Sequence, residues 1–381
     1  MPVRFIPELA DVVPYEGGPS LEALQRRHGL ERVVRLASNE YPLPPFPEVR
    51  EALLGALDGV NRYPDSLSTD LREALAARHD CRPEEIAVGG GSAELLYLLG
   101  QVVLERGDEV VLAAPTFTAY HDVIAINGAV PVAIPLRDHV HDLEAMAAAV
   151  SARTKLLLVC NPNNPTGTYV PTAEIRRLVE SVPDEVLVVV DEAYREFVTA
   201  EDGEGPPAIR RGHDNVVVLR TFSKIYGLAG LRTGYAVCAP EVREALDKAR
   251  QPFNVTLLGQ VAALEALRHQ ERVVERRETN ARLRDYLTAR LAERGHATVP
   301  TQTNFMLVGA DGLRRPRKEV CGALLAAGAM VRDGAVLGCP GWMRVTLGSE
   351  DEVAFFLEKL DALEVDDQAR RDPVSPDRGG A

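Results

Sequence analysis

Residues 215–238, NVVVLRTFSKIYGLAGLRTGYAVC, restrict what this chain can fold into more than any other stretch. A β-branched run at 216–219, bounded by polar residues, reads as a parallel strand buried on both faces. It empties into Thr221-Phe222-Ser223-Lys224, so a lysine stands just past a strand's carboxyl end. Open α/β sheets place their ligand chemistry there. Arg232 then leads into a second strand at 233–239, through Gly227, Gly230 and Gly234. Glycine in such loops lets the backbone approach a ligand or take positive φ. A lysine flanked by hydroxyls and an arginine suits an aldehyde that carries a phosphate: the amine condenses with the aldehyde, and the hydroxyls and guanidinium hold the phosphate. A surface lysine beside packing glycines is the plain alternative. The rest of the chain decides between them.

The same pattern of apolar strand and polar loop recurs upstream. Residues 86–88 run into Gly89-Gly90-Gly91-Ser92-Ala93-Glu94, ahead of an apolar helix expected at about 95–105. Free N–H groups and the helix dipole make such a turn an anion site. It has neither the G-x-G-x-x-G spacing nor the G-K-[ST] of a P-loop. The strand at 109–113 ends in Pro115-Thr116-Phe117-Thr118-Ala119-Tyr120, whose rings could stack on a planar group or cap the core. The strand at 155–159 opens into Asn161-Pro162-Asn163-Asn164-Pro165, a rigid loop that can present a side-chain amide. The strand at 185–190 ends in Asp191-Glu192-Ala193-Tyr194. A carboxylate at a buried strand end must be paired, and a cationic ring nitrogen would pair it. Ser92, Tyr120, Asn164, Asp191 and Lys224 therefore converge on one edge of one sheet, with Arg232 behind.

The expected fold is α/β: a mostly parallel central sheet with helices on both faces, plus a smaller α+β domain. Residues 1–44 read as a proline-rich arm with part of the small domain, 45–265 as the large domain, 266–365 as the small domain and 366–381 as a disordered tail. Helices are expected at 47–57, 68–79 (capped by Ser68 or Thr69), 172–182, 256–268, 272–294, 318–327 and 350–363. In the small domain, Arg332 and Arg344 lie on or beside short strands. A net charge of −13 argues against nucleic acid and anionic membrane as partners. No apolar run has the length of a membrane span, and the N-terminus lacks a signal pattern, which makes a cytoplasmic enzyme the expectation. Five cysteines without a C-x-x-C read as free thiols, buried at Cys160 and Cys238. His139 and His141 alternate along the chain, but no third ligand cluster accompanies them, and no metal is expected.

NPNNPTG at 161–167, DEAY at 191–194 and SKIYGLAGLRTGY at 223–235 together resemble the fold-type I, class II aminotransferases. PFNV at 252–255 and NRYP at 61–64 are similar to the histidinol-phosphate branch of that family. The resemblance covers residues 15–363. It implies pyridoxal 5'-phosphate as cofactor and Lys224 as its covalent attachment and proton carrier. Asp191 would pair the ring nitrogen, Asn164 and Tyr194 would bond the ring's 3-oxygen, and Tyr120 would stack on the ring. Ser92 and Ala93 (through backbone N–H), Thr221, Ser223 and Arg232 would hold the phosphate. Tyr63 would reach the phosphate of a neighbouring subunit, which implies a homodimer. Tyr15, Asn304, Arg332 and Arg344 would bind substrate. The reaction implied is amino transfer between L-histidinol phosphate and 2-oxoglutarate, through the pyridoxamine form, in histidine biosynthesis. Alternatives are an aromatic amino-acid transaminase or a threonine-phosphate decarboxylase. Ala93 departs from the family, which usually carries an acidic residue there; a backbone contact survives the change and a side-chain contact does not.

Overall fold

The computed structural model describes residues 3–12, 14, 20–200, 206–309 and 317–371. The chain begins with α1 (Leu21–His28), β1 (Val34–Arg35), α2 (Pro47–Ala56), α3 (Thr69–Arg78), β2 (Ile86–Gly89) and α4 (Ser92–Val103). It continues with β3 (Glu109–Ala114), α5 (Ala119–Ile126), β4 (Val130–Pro135), α6 (Leu143–Ala148), β5 (Thr154–Cys160), α7 (Thr172–Ser181), β6 (Leu187–Asp191) and α8 (Pro206–Arg210). Then come β7 (Val216–Thr221), β8 (Gly234–Val237), α9 (Pro240–Ala249), α10 (Leu257–Arg268) and the long α11 (Gln270–Glu293). The last part holds β9 (Phe305–Gly309), α12 (Arg317–Ala326), β10 (Ala329–Met330), β11 (Arg332–Asp333), β12 (Trp342–Thr346) and α13 (Glu350–Arg371).

Seven strands form the large sheet in the order β2-β8-β7-β6-β5-β3-β4. Only β8 runs against its neighbours. Alternate residues of the central strands enter different cores, as period-2 geometry requires. Val189, Val217 and Leu219 pack with α4 and α5, whereas Val188, Val190, Val216 and Val218 pack with Ile175 and Val179 of α7. Burial on both faces explains why these strands read as unbroken apolar runs.

The smaller unit combines the antiparallel sheet β11-β12-β9 with the parallel pair β1-β10. Its core gathers Val34, Met306, Val308, Val345 and Phe356. α11 joins the two units: Val273 near its start lies in a core of the large sheet, and Leu287 and Leu291 near its end lie in the small one. About 36 Å of helix separates its ends.

Several boundaries differ from the sequence expectation for identifiable reasons. α4 starts at Ser92, directly on the glycine turn, not near Leu95. α3 is capped by neither Ser68 nor Thr69. Asp65 accepts from the N–H of Leu67 (2.9 Å) and Thr69 (2.6 Å), while Ser68 takes φ +50°. The helices α5, α8 and α9 were not expected; α5 hides between two apolar strands whose loop reads as irregular. α13 runs past residue 363 to Arg371, and the rest of the expected tail, 372–381, lies outside the described residues. All five cysteines are free, with Cys160, Cys238 and Cys339 buried.

Candidate active site

A cavity of about 390 Å³ opens at the carboxyl edge of the large sheet. Ser92, Ala93, Asn164, Asp191 and Tyr194 line it, and so do Thr221, Ser223, Lys224 and Arg232. Nine of the predicted residues therefore meet in one place, each delivered by the end of a strand or the start of α4.

One end of the cavity is built for an anion. Ser92 and Ala93 open α4, so their N–H groups belong to the first turn, which has no intrahelical acceptors. Gly91 has φ +98°, and a Cβ added there would sit 2.6 Å from Nη2 of Arg232. Only glycine lets that guanidinium come so close. Arg232 itself takes φ +53°, donating from Nη1 to Ser223 Oγ (3.3 Å) and Ala229 O (3.1 Å), and from Nη2 to Gly90 O (3.4 Å). Thr221 Oγ1 accepts from the Ser223 N–H at 3.1 Å, which fixes the turn leading to Lys224.

The other end holds an amine and a carboxylate in a dry environment. Burial, joined by the positive charge of Arg344, lowers the Lys224 amine to about 8. Its Nζ lies 5.5 Å from the ring centroid of Tyr194. Burial raises Asp191 from 3.8 to about 6, against the pull of the Ala193 N–H, the Tyr120 hydroxyl and Lys224. Ala193 N–H donates to Oδ1 (3.1 Å) and the Tyr120 hydroxyl to Oδ2 (3.2 Å).

Tyr120 therefore does not stack over the cavity. It is fully buried beneath Asp191, because α5 starts at Ala119 and turns the ring into the core. Phe117, on the loop before α5, lines the cavity instead and meets Tyr120 edge-on at 5.6 Å. Tyr120→Phe should push the Asp191 pKa higher still, because that hydrogen bond favours the charged carboxylate. The expected outcome is a carboxyl that titrates at higher pH in the unliganded protein, read by NMR of labelled aspartate against wild type, the change being that of one lost charged hydrogen bond. An unmoved titration would refute that role for Tyr120.

The remaining predicted residues lie outside the wall. Arg344 is buried just behind it: Nη1 donates to Asn164 Oδ1 (2.6 Å) and Nη2 to Ala37 O (2.7 Å). Arg332 sits directly opposite Arg344 in the β11–β12 pair. Asn304 was expected to line the pocket, but its Nδ2 is spent on the carbonyls of Asn39 (3.1 Å) and Glu40 (3.3 Å). Tyr63 is 81% exposed and stacks on Phe253 at 4.5 Å, away from this chain's own cavity. Tyr15 lies outside the described residues.

Four residues that matter here were missed. Ser38 and Glu40 line the cavity, and Glu40 opposes the lowering of Lys224. Arg220 is buried between Glu192 (2.7 Å) and Glu196 (3.0 Å), bracing the segment that presents Asp191 and Tyr194. A charge inside the apolar run before Thr221 was the available signal. Arg276 of α11 lies over the rings of Tyr41 (4.3 Å) and Phe46 (4.2 Å), and donates to Ile225 O (2.8 Å) and Pro44 O (2.6 Å). It thus clamps the arm against the loop after Lys224. No periodicity announces a contact of that kind.

A lysine, a carboxylate and an anion turn around one cavity fit a family that is also found by comparison. The family model described as aminotransferase class I and II matches residues 31–360. The chain belongs to that aminotransferase family. Among relatives of this aminotransferase, the histidinol-phosphate aminotransferase of Moorella thermoacetica is 43% identical over 364 residues, covering 94% of each chain. The aromatic amino acid aminotransferase of Mycobacteroides abscessus is 44% identical over 358 residues, covering 94% of this chain and 98% of the relative. Among solved structures, histidinol-phosphate aminotransferase from Sinorhizobium meliloti, in complex with pyridoxal-5'-phosphate, superposes with a TM-score of 0.87 at 30% identity, over 95% of this chain and 98% of that one. Among the described residues of the aminotransferase, no group of three potential metal ligands occurs and no helix is long and apolar enough to cross a membrane.

Proposed function

We propose that this aminotransferase moves the amino group between L-histidinol phosphate and 2-oxoglutarate, with pyridoxal 5'-phosphate as cofactor, as a cytoplasmic homodimer. One observation carries the substrate reading. Arg332 and Arg344 face each other across an antiparallel pair, so both side chains leave the same face of the small sheet. Arg344 on that face reaches Asn164 in the cavity wall. An anion on that face would meet two guanidinium groups, which would give the site a second anion-binding end, apart from the one around Arg232. A phosphate monoester and a dicarboxylate can use it in turn, and guanidinium geometry suits both.

The residues present fit the cofactor. The glycine turn leaves no room for a Cβ where Arg232 meets it, and Asp191 is a buried carboxylate in need of a cation. When bound, pyridoxal phosphate supplies an aldehyde that accepts the amino group and a ring that takes up the electron pair left on the substrate carbon. The Lys224 amine, lowered to about 8, is available to capture that aldehyde near neutral pH. The same amine would hold and return the proton exchanged at the substrate carbon. Asp191 would hold a proton on the ring nitrogen. Asn164 has its Oδ1 engaged by Arg344, which leaves Nδ2 to donate to the ring's 3-oxygen, beside the Tyr194 hydroxyl. Phe117, which lines the cavity, would take the stacking place expected of Tyr120. Ser92 and Ala93, with Thr221, Ser223 and Arg232, would receive the phosphate.

Support for the dimer comes from Tyr63, whose ring is exposed, as are Leu57, Val60 and Leu67 close by in sequence. In a dimer, Tyr63 of each subunit would reach toward the phosphate held by the other.

The mycobacterial relative supports a second reading, transfer from aromatic amino acids. The deciding experiment follows the visible spectrum of the purified protein. Addition of L-histidinol phosphate should bleach the cofactor band, and 2-oxoglutarate should restore it. A band indifferent to histidinol phosphate but bleached by phenylalanine would move the chain to the aromatic reading. A protein that takes up no pyridoxal phosphate would sink both.

A further inference from the structure

The motif PFNV at 252–255 has no role in the chemistry above, yet it touches the glycine turn. Glu94, in the first turn of α4, bends back so that its Oε2 accepts from the Gly90 N–H. The same oxygen accepts from Asn254 Nδ2 at 2.7 Å, and Asn254 Oδ1 in turn accepts from Arg250 Nη1 at 3.0 Å. Both ends of the Asn254 amide are thus committed. The residue before it, Phe253, takes φ +59°, a conformation that is costly for a bulky side chain. Strain of that kind persists only where surrounding contacts hold it. Here the Tyr63 stack holds one side and the Asn254 bonds the other.

Electrostatics makes the carboxylate conspicuous. A negative charge four residues from Gly90, at a turn otherwise supplied with donors, opposes anion binding. Its place is explained by geometry. By taking the Gly90 N–H for itself, Glu94 fixes the plane of that peptide, and so leaves Ser92 and Ala93 as the amides that face the cavity. Gly90 O, in the next peptide, accepts from Arg232, so the guanidinium meets the turn directly beside the latch.

We propose that Glu94 and Asn254 are positioning residues for the phosphate-binding turn, acting through the Gly90 peptide. The inference rests on the cofactor placement proposed above, and it is independent of which amine the enzyme accepts. Cofactor-free protein would be titrated with pyridoxal 5'-phosphate and, separately, with pyridoxal, which carries the aldehyde and ring but no phosphate. Glu94→Ala and Asn254→Ala should weaken pyridoxal phosphate by about tenfold to a hundredfold, the range expected when a charged hydrogen bond is lost. Pyridoxal affinity should stay within about twofold of wild type, inside the spread of surface substitutions. Glu94→Gln keeps an acceptor for Gly90 and should retain wild-type affinity or exceed it, because the opposing charge is gone. Three results would overturn the proposal. Unchanged pyridoxal phosphate affinity in both alanine variants would remove the latch. Equal losses for both aldehydes would make it a general prop of the fold. A failure of Glu94→Gln to restore binding would show that charge, not geometry, is what Glu94 supplies. A wild-type chain with no preference for the phosphorylated aldehyde would instead refute the cofactor placement beneath it.

Discussion

Lys224→Ala is expected to reduce amino transfer by at least about 10⁴-fold, since it removes both the covalent attachment and the proton carrier. The fold should survive. Lys224 belongs to none of the apolar core clusters, and its amine is held in a place that disfavours its charge. The anion end of the cavity is untouched by the change, so the variant should still take up pyridoxal phosphate, without a covalent bond. Borohydride reduction distinguishes the two states. In wild type it should fix the cofactor permanently to residue 224, as seen by peptide mass, and in the variant it should fix nothing there. Full activity in Lys224→Ala, or reduction onto another lysine, would mean that the chemistry is carried elsewhere.

What could be read from the sequence follows from how local each feature is. Strands buried on both faces announce themselves as apolar runs, and a ligand site at their carboxyl ends requires only that the runs be parallel. That is why Ser92, Asn164, Asp191 and Lys224 could be gathered before any coordinates. The direction of a side chain at the end of a strand is not local. Tyr120 and Phe117 lie three residues apart in one loop, and the start of α5 alone decides which ring meets the cavity and which supports Asp191. Long-range polar contacts are less legible still. Asn304 holds the backbone of Asn39 across 265 residues of chain, and Asn39 in turn donates to the Tyr194 hydroxyl at 3.0 Å. The arm thus reaches the cavity through an amide that composition and periodicity give no reason to select. Arg220 was within reach, because a buried guanidinium demands carboxylates and Glu192 and Glu196 are nearby in sequence.

Asp191→Asn should separate stability from function in opposite directions. The carboxyl is raised from 3.8 to about 6 chiefly by burial, so in the cofactor-free protein its charged form is disfavoured relative to the unfolded chain. Between about pH 4 and pH 6 the folded state then binds more protons than the unfolded one, and stability falls as pH rises through that window. Above pH 6 the full cost applies, roughly 3 kcal/mol for a displacement of this size. Asparagine is isosteric and uncharged, and the Tyr120 hydroxyl can accept from an amide as readily as it donates to a carboxylate. Cofactor-free Asp191→Asn should therefore be more stable than wild type at pH 7.5 by up to about 3 kcal/mol, with the difference vanishing near pH 4. Denaturant titrations of both proteins across that range isolate the effect, since every other carboxylate is common to the two. Loading the cofactor should reverse the order, because only the carboxylate gains a cation at the ring nitrogen. Turnover of the variant should fall by about 10²–10³-fold or more, the scale of losing one oriented charge in a dry site. A variant no more stable than wild type at pH 7.5 would mean that Asp191 is already compensated without cofactor, and that the unmet charge is not what draws the ring into this cavity.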